Sequence, residues 1–201
     1  MSYKIITISR QCGSGGHTIG QALAEKLDIP LYDKKILEEV SRRSGLAEDV
    51  IESEGEYATS SVIFNIGMGV YNAWNSSQRE TMPLREQINA YQTEFIREVA
   101  RKGSCIIVGR CADYILRERT DCLNVFIYGN CEDRIKRVIA EHRVPEHEAE
   151  AHIKNRDKKR AAHYKYITDQ EWGDMKNYNL CLDSSELGIE KCVELILNCV
   201  Q

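Results

Sequence analysis

The sequence lacks the features that would place the protein in a membrane or on nucleic acid. No stretch approaches the ~20 consecutive apolar residues that a helix needs to cross a bilayer. Met1 to Lys4 lead into a short strand-like run and not into the long apolar segment of a signal peptide. The formal net charge of only −4 gives no general attraction to a polyanion. We therefore expect a cytoplasmic protein without nucleic-acid or membrane partners, in which any anion site comes from locally clustered positive charge.

Closely spaced cysteine pairs are also lacking, although the chain has eight cysteines. A zinc knuckle or a redox motif needs two cysteines a few residues apart, and no pair here has that spacing. Most of the cysteines lie inside apolar runs, as Cys105 does before Ile106 and Ile107. The pattern predicts small buried hydrophobic side chains in a reducing compartment.

What the sequence does have is a regular alternation of short apolar runs and amphipathic segments. The apolar runs predict strands at 3–9, 30–32, 105–108, 124–128 and 178–182. The amphipathic segments predict helices at about 19–27, 34–40, 84–102, 132–142, 146–164 and 189–200. Apolar strands alternating with helices indicate an α/β fold, with a parallel sheet covered by helices on both faces. No linker interrupts residues 1–201, so we expect a single domain.

The chain is least regular from about 47 to 82, within an insert that is expected at about 34–82. From about residue 47 it contains isolated glycines and many polar residues, which predict helices in a partly separate insert. Apolar residues at 62–70 fit an internal core of that insert or a contact between two copies of the chain. A homodimer is therefore one of two expectations for this segment.

A glycine-rich loop lies between the first strand and the first helix. Residues 9–18 read Ser-Arg-Gln-Cys-Gly-Ser-Gly-Gly-His-Thr. Glycines let the backbone curl around a phosphate, and the first turn of a helix leaves its N–H groups unpaired. We expect phosphate to bind at six consecutive residues: Gly13, Ser14, Gly15, Gly16, His17 and Thr18. The Thr18 hydroxyl also lies where a ligand for Mg²⁺ is needed.

This loop departs from the standard phosphate-loop motif, which reads G-x-x-x-x-G-K-[ST]. With Gly15 as the second glycine, Arg10 stands in place of the first glycine and Gly16 in place of the lysine. His17 then separates that position from Thr18. A glycine-rich turn used only for tight packing is the alternative interpretation.

The most basic stretch of the chain, residues 154–165, falls within a predicted helix. Helical spacing brings two histidines and two arginines onto one face, namely His152, Arg156, Arg160 and His163. Two guanidiniums on one face suit a lid, at about 144–175, that clamps a polyphosphate. We expect Arg156 and Arg160 to be catalytic in this sense. The alternative is a solvated charged helix.

Residues near the ends of predicted strands complete the candidate site. Arg10 ends the first strand and is a third catalytic candidate, because it can supply the positive charge missing at Gly16. The alternative is that Arg10 pairs with an acidic neighbour and holds the loop in shape. Arg110 follows a buried strand, at the edge where open α/β sheets bind ligands. The candidates for binding the acceptor are Asp33, Lys34, Arg110 and Asp113. Both aspartates are equally suited to capping helices.

Three further residues lie near these motifs. Arg134 and Arg137, on the helix after the fourth strand, are candidates to face the lid, and one of them is expected to be solvated at the surface. Trp172, followed by Gly173 and Asp174, is expected to anchor the lid by packing and to have no chemical role.

Taken together, the motifs resemble the cytidylate kinase-like branch of the P-loop nucleoside-monophosphate kinases. The resemblance is carried, in chain order, by Ile6 to Gln11 with Gly13 to Gly16, Ala24 to Asp33, Ile107 to Asp113, Asn155 to Lys158 with Arg160, and Tyr178 to Asp183. It is weak across about 46–82. It implies a P-loop NTPase-type fold with a five-stranded parallel sheet, a helical acceptor-binding insert and a basic lid. The activity it implies is Mg²⁺-dependent transfer of the ATP γ-phosphoryl group to a nucleoside monophosphate.

Residues and resemblance together favour a kinase that acts on a small nucleotide such as CMP or dCMP. No catalytic base is evident, which suits a reaction that depends on positioning and positive charge. A lysine steadies the transferred group in true cytidylate kinases, so its absence at Gly16 leaves a non-catalytic nucleotide or phosphate sensor open. A kinase of a non-nucleotide small molecule is also open, because the resemblance fades in the insert.

Overall fold

A parallel sheet forms the centre of the protein, for which the computed structural model describes residues 3–55 and 82–200. Its strands are β1 (Ile5–Arg10), β2 (Leu31–Tyr32), β3 (Cys105–Val108), β4 (Cys122–Tyr128) and β5 (Leu180–Asp183). Their order across the sheet is β2-β3-β1-β4-β5, and each neighbouring pair is parallel. The predicted five-stranded parallel sheet is confirmed.

Eight α-helices accompany these strands in the two described segments, with a short 3-10 helix at Met175–Asn177. They are α1 (Gly16–Leu27), α2 (Lys34–Ser44), α3 (Glu48–Gly55), α4 (Leu84–Lys102), α5 (Ala112–Ile115), α6 (Cys131–His142), α7 (Glu146–Thr168) and α8 (Ser184–Val200). Local signals explain several ends: α2 stops at the left-handed Gly45, and the Asn130 side chain accepts a hydrogen bond from Asp133 N where α6 begins.

Helices cover both faces of the sheet, as the apolar strands predict. Successive strand residues point to opposite faces, so Ile5 contributes to one core and Ile6 to the other. The first core includes residues of α2, α3, α4 and α5. The second core includes residues of α1 and α8, among them Ile19 and Val193.

The strand register brings the carboxyl ends of β1, β3 and β4 together at one edge. Ile8 pairs with Val108 and Arg10 with Ile127. Gly109 N then donates to Ile8 O, and Gln11 N donates to Ile127 O, both at 2.9 Å. The glycine loop after β1 and the turn after β3 are therefore adjacent, at the edge where such sheets bind ligands.

The expected insert at 34–82 is described only in part. Ile36 and Val40 of α2 and Ile51 of α3 are buried in the same core as β1 and β3. The apolar residues at 62–70 lie outside the described residues. The boundaries of the insert and of the lid stay predictions.

Most of the cysteines are buried, as the apolar runs around them predict. All eight cysteines are free: five are buried, Cys181 is half-buried, and Cys131 and Cys199 are exposed. Within the two described segments, every helix is too short or too polar to cross a membrane.

Candidate functional site

The loop between β1 and α1 curls through two left-handed glycines. Gly13 and Gly15 both have a φ of 75°. A Cβ atom on Gly13 would lie 2.5 Å from the carbonyl oxygen of Arg134, so close packing also requires glycine there. The buried Ser14 hydroxyl lies 2.9 Å from Gln11 O and 3.1 Å from Ile127 O. The loop is therefore held firmly against the edge of the sheet.

The N-terminus of α1 presents the backbone N–H groups of Gly16, His17 and Thr18. The first hydrogen bond of the helix joins Ile19 N to Gly15 O at 2.9 Å, so these three groups precede it. Groups of this kind, at the positive end of a helix, bind phosphate. The predicted phosphate-binding residues thus form one continuous stretch, and their role stays a prediction.

Arg10 lies between the loop and the turn after β3. A Cβ atom on Gly16 would lie 2.6 Å from Arg10 Cβ, and a Cβ atom on Gly109 would meet the Arg10 guanidinium. Arg10 Nη2 lies 3.7 Å from Asp33 Oδ1, so the expected acidic neighbour exists. Burial and the charge of Arg160 lower the pKa of Arg10 to about 9, Asp33 partly offsets this, and Arg110 adds to it.

The turn after β3 has a strained backbone. Gly109, Arg110 and Cys111 have consecutive φ values of 73°, 57° and 53°. This left-handed region costs a residue other than glycine about 1–2 kcal/mol. Gln92 Nε2 on α4 donates to Arg110 O at 3.3 Å and helps to hold the turn. Such strain is often retained beside a functional site.

Helix α7 directs its charged residues at the loop. Arg160 Nη1 donates to Arg10 O at 3.1 Å, and Asp157 Oδ1 accepts from Cys12 N at 2.7 Å. His163, on the same helix, is 9% exposed. The solvated-helix alternative is wrong for this face of α7. Arg156 is half-buried, and its catalytic role stays a prediction.

An ion pair from α6 and α7 holds both polar groups of the Cys12 backbone. Arg134 Nη2 pairs with Asp157 Oδ2, and Arg134 Nε donates to Cys12 O at 2.8 Å. With the bond from Cys12 N to Asp157, the three residues form a closed ring, which we call the loop clamp. The clamp ties the position of α7 to the conformation of the loop.

Arg134 and Arg137 are both engaged with the loop and are not solvated at the surface. Arg134 is 8% exposed, and Arg137 Nη1 donates to Gly13 O at 2.5 Å. Asp157 was not predicted as a site residue, although it lies in the motif Asn155 to Lys158 that carries the family resemblance. The available signal was its position three residues before Arg160, which places the two on one side of α7.

Three arginines line one cavity of about 50 Å³ at this edge of the sheet: Arg10, Arg110 and Arg160. The cavity is also lined by Ser9, Gly109, Cys111, His163, Tyr164 and Trp172. Trp172 packs edge-on against Phe126, with ring centroids 5.4 Å apart, which fits its expected anchoring role. Guanidiniums from β1, from the turn after β3 and from α7 make this cavity suited to an anion.

Asp33 does not cap α2, although it precedes that helix. In the described residues its carboxylate makes no hydrogen bond to the first turn of the helix. Asp33 Oδ2 instead lies 2.8 Å from His17 Nδ1, and Oδ1 faces Arg10. The capping alternative is wrong for Asp33. Lys34 is exposed at the start of α2, and the acceptor-binding roles of both residues stay predictions.

Asp113 connects α5 to α7. It is 5% exposed and accepts a hydrogen bond from the Tyr164 hydroxyl at 2.6 Å. Cys111, not Asp113, occupies the N-cap of α5. Burial raises the pKa of Asp113 to about 6, against the opposing effect of its hydrogen bonds. Its role in binding the acceptor stays a prediction.

Asp113 should make stability depend on pH. Its pKa of about 6 exceeds the ordinary 3.8, so the folded state binds more protons than the unfolded state between these values. The stability that this extra proton binding provides is fully present below pH 3.8 and is lost as pH rises through about 6. Asp113→Asn removes this dependence. The free energy of unfolding of the variant minus that of the parent should therefore be roughly 3 kcal/mol greater at about pH 8 than at about pH 4. Urea unfolding of both proteins across this range measures the difference, and a constant difference would contradict the prediction.

The residues around the loop fit a metal ion that arrives with a polyphosphate. Residues 3–55 and 82–200 contain no cluster of three or more His, Cys, Asp or Glu that could hold a metal. Mg²⁺ bound to nucleotide phosphates needs only one or two protein oxygens. The exposed Thr18, in the first turn of α1, offers one such oxygen.

Known proteins resemble this chain in sequence. The model of the cytidylate kinase-like family matches residues 5–186. A cytidylate kinase from Pyrobaculum neutrophilum is 24% identical over 195 residues, which cover 96% of this chain and 91% of that protein.

Solved structures resemble it in fold. An uncharacterized protein from Eubacterium ventriosum superposes with a TM-score of 0.72 at 28% identity, covering 98% of this chain and 97% of that one. Shikimate kinase from Bacteroides thetaiotaomicron superposes with a TM-score of 0.53 at 14% identity, covering 98% of this chain and 97% of the other. The second likeness is one of fold alone, and the fold is that of the P-loop kinases.

Proposed function

Because the chain belongs to the cytidylate kinase-like family, we propose that it transfers the γ-phosphoryl group of ATP to a nucleoside monophosphate of the CMP or dCMP type. The observation that carries the proposal is the convergence of Arg10, Arg110 and Arg160 on one cavity beside the glycine loop. Burying guanidiniums close together is costly without an anion, and the pKa of Arg10 is lowered first by burial and then by the charges of Arg160 and Arg110. The name of the Pyrobaculum neutrophilum relative supports a cytidine-type acceptor.

The loop and the first turn of α1 would hold the phosphates of the donor. The N–H groups of Gly16, His17 and Thr18 precede the first hydrogen bond of the helix, and such groups at a helix N-terminus bind phosphate. The Thr18 hydroxyl would be the protein ligand of the metal. ATP would supply the phosphoryl group, and Mg²⁺ would spread its negative charge.

Arg10 would take the part of the lysine that the loop lacks. A Cβ atom on Gly16 would lie 2.6 Å from Arg10 Cβ, a distance that two side chains cannot share. Positions 10 and 16 therefore face each other so closely that one of them has to be glycine. The standard motif places glycine first and lysine second, whereas this chain has the reciprocal arrangement.

Helix α7 would act as the core of the lid at about 144–175. Arg160 already donates to the backbone of Arg10, so its guanidinium lies beside the loop. Arg156 lies one turn before Arg160 on the same helix. The two arginines would neutralise charge on the transferred group, which is the main way that proteins accelerate this reaction.

The proposal predicts that ADP release from Mg-ATP depends on a nucleoside monophosphate. With each common nucleoside monophosphate offered in turn, CMP or dCMP should give the highest kcat/KM. Arg160→Ala should lower kcat about 100-fold with little change in ATP affinity, because a charge that acts on the transition state is lost. Lys154→Ala is the matched control, since Lys154 lies on the same helix with a side chain that is 69% exposed.

Each alternative function corresponds to a different result of this assay. ATP binding without ADP release, whichever acceptor is offered, would overturn the kinase and assign a sensor. Turnover only with a non-nucleotide acceptor would overturn the nucleotide acceptor and keep the phosphoryl transfer. Equal losses of turnover and ATP affinity in Arg160→Ala would reduce Arg160 to a binding residue.

A further inference from the structure

Helix α4 has polar residues on the part of its core face that contacts the turn after β3 and helix α7. Arg85, Asn89 and Gln92 follow one another at helical spacing, on the face that continues as Ile96 and Val99. The three polar residues are 8%, 2% and 4% exposed. Amphipathic helices normally place such residues in water, so their burial here calls for a partner.

Contacts at both ends place this polar face between the turn after β3 and helix α7. Gln92 Nε2 donates to Arg110 O at 3.3 Å. The Arg85 guanidinium lies 4.1 Å from the centre of the Tyr166 ring, and Tyr166 lies three residues after His163 on α7. Asn89 lies between Arg85 and Gln92 along the helix, and so between the contacts that these two residues make with α7 and with the turn after β3.

Asn89 is buried with both atoms of its amide unsatisfied. Among the residues that the structure describes, neither Oδ1 nor Nδ2 has a hydrogen-bond partner. Buried amides are nearly always bonded, because their transfer out of water is otherwise unfavourable. An unsatisfied amide at the ligand-binding edge of the sheet indicates that a ligand supplies its partner.

His163 shows the same property on the opposite helix. It lines the cavity, and neither Nδ1 nor Nε2 has a partner in the described part of the chain. Burial, with the charges of Arg110 from the turn after β3 and Arg85 from α4, lowers its pKa to about 3. The imidazole is therefore neutral near pH 7 and offers one N–H donor and one acceptor nitrogen.

We propose that Asn89 and His163 determine specificity by hydrogen-bonding the heterocyclic base of the acceptor, while the arginines hold its phosphate. An amide and a neutral imidazole offer donors and acceptors without charge. This matches the edge of a pyrimidine, where amine or N–H donors alternate with nitrogen and oxygen acceptors. It does not match a carboxylate, for which cations are the natural partners. The inference rests on the proposed function, because it assumes a nucleotide acceptor.

Asn89→Leu tests the inference through two opposite effects. The substitution keeps the shape of the side chain and removes an unsatisfied amide, so the ligand-free protein should unfold at the same temperature or higher. Loss of two hydrogen bonds to the base should weaken CMP binding about 30-fold. Inorganic phosphate should bind unchanged, because it engages only the arginines. Thermal unfolding and titration calorimetry with CMP and with phosphate measure the three quantities.

Two comparisons separate this role from a structural one. Gln92→Leu is the matched control: it lies on the same buried face, but its amide is bonded to Arg110 O, so its loss should lower the unfolding temperature. His163→Leu should weaken CMP binding about tenfold, whereas His163→Gln, which keeps a donor and an acceptor, should restore most of it.

The outcomes distinguish this inference from the proposed function. Asn89→Leu that binds CMP as the parent does, or that is destabilised as Gln92→Leu is, overturns the inference, whatever the kinase activity. No CMP binding by the parent protein also overturns it. Weakened CMP binding in a protein that never releases ADP supports the inference and overturns the proposed kinase.

Discussion

The double variant Arg10→Gly/Gly16→Lys is expected to keep most of the phosphoryl-transfer activity, whereas each single substitution should lower kcat by about two to three orders of magnitude. Arg10→Gly removes the guanidinium from the loop. Gly16→Lys keeps it but forces two side chains into a space where their Cβ atoms would lie 2.6 Å apart. The exchange removes the clash and returns a positive charge, in the order that the standard motif uses. Gly16 is not among the left-handed glycines, so its backbone accepts a side chain.

Steady-state kinetics of the four proteins, with urea unfolding of each, measure this coupling as a double-mutant cycle. The two substitutions should be strongly non-additive in kcat and nearly neutral together in the KM for ATP. A double variant no more active than Arg10→Gly would contradict the proposal that Arg10 takes the part of the missing lysine. Arg10 would then act by shaping the loop through Asp33, which lies 3.7 Å from its guanidinium.

The ends of a strand could be predicted from the sequence where all of its residues are equally buried. β3 is buried at all four residues, and a continuous apolar run indicated it with the correct ends. β4 begins at Cys122, two residues before the predicted start, because Asn124 interrupts the apolar run and bonds Thr7 inside the sheet at 2.7 Å. β5 begins later than predicted because Tyr178 belongs to the packing around Phe126, not to the ladder.

The glycine loop and the arginines could be selected from sequence because their chemistry follows from residue type and from position after a strand. The residues that bond to the loop and to the arginines could not be identified from the sequence. Asp157 and Cys12 are 145 positions apart, and only the packing of α6 against α7 brings them together. The fold also buries the polar residues Asn89 and Gln92, which are 2% and 4% exposed. Tertiary packing decides which polar side chains are buried, and the local sequence pattern does not predict it.

Breaking the loop clamp is expected to have the largest effect on stability. Asp157→Ala leaves the guanidinium of Arg134, a residue only 8% exposed, without its carboxylate, and leaves Cys12 N without an acceptor. Removing one partner of a buried ion pair costs about 3 kcal/mol or more. That corresponds to a fall of roughly 10 °C in the midpoint of thermal unfolding for a chain of this size. Turnover should fall as well, because the clamp sets the position of α7 and hence of Arg160.

Two further variants separate the charge of Asp157 from its hydrogen bond and from general effects on α7. Asp157→Asn keeps an acceptor for Cys12 N and loses the charge opposite Arg134, so it should fall between Asp157→Ala and the parent in both stability and kcat. Glu150→Ala breaks an exposed pair with Lys154 on the same helix and should leave the unfolding temperature and turnover unchanged. If Asp157→Ala unfolds at the temperature of Glu150→Ala, the clamp contributes no more than a surface pair. If it is destabilised but turns over normally, α7 holds Arg160 in place without the clamp.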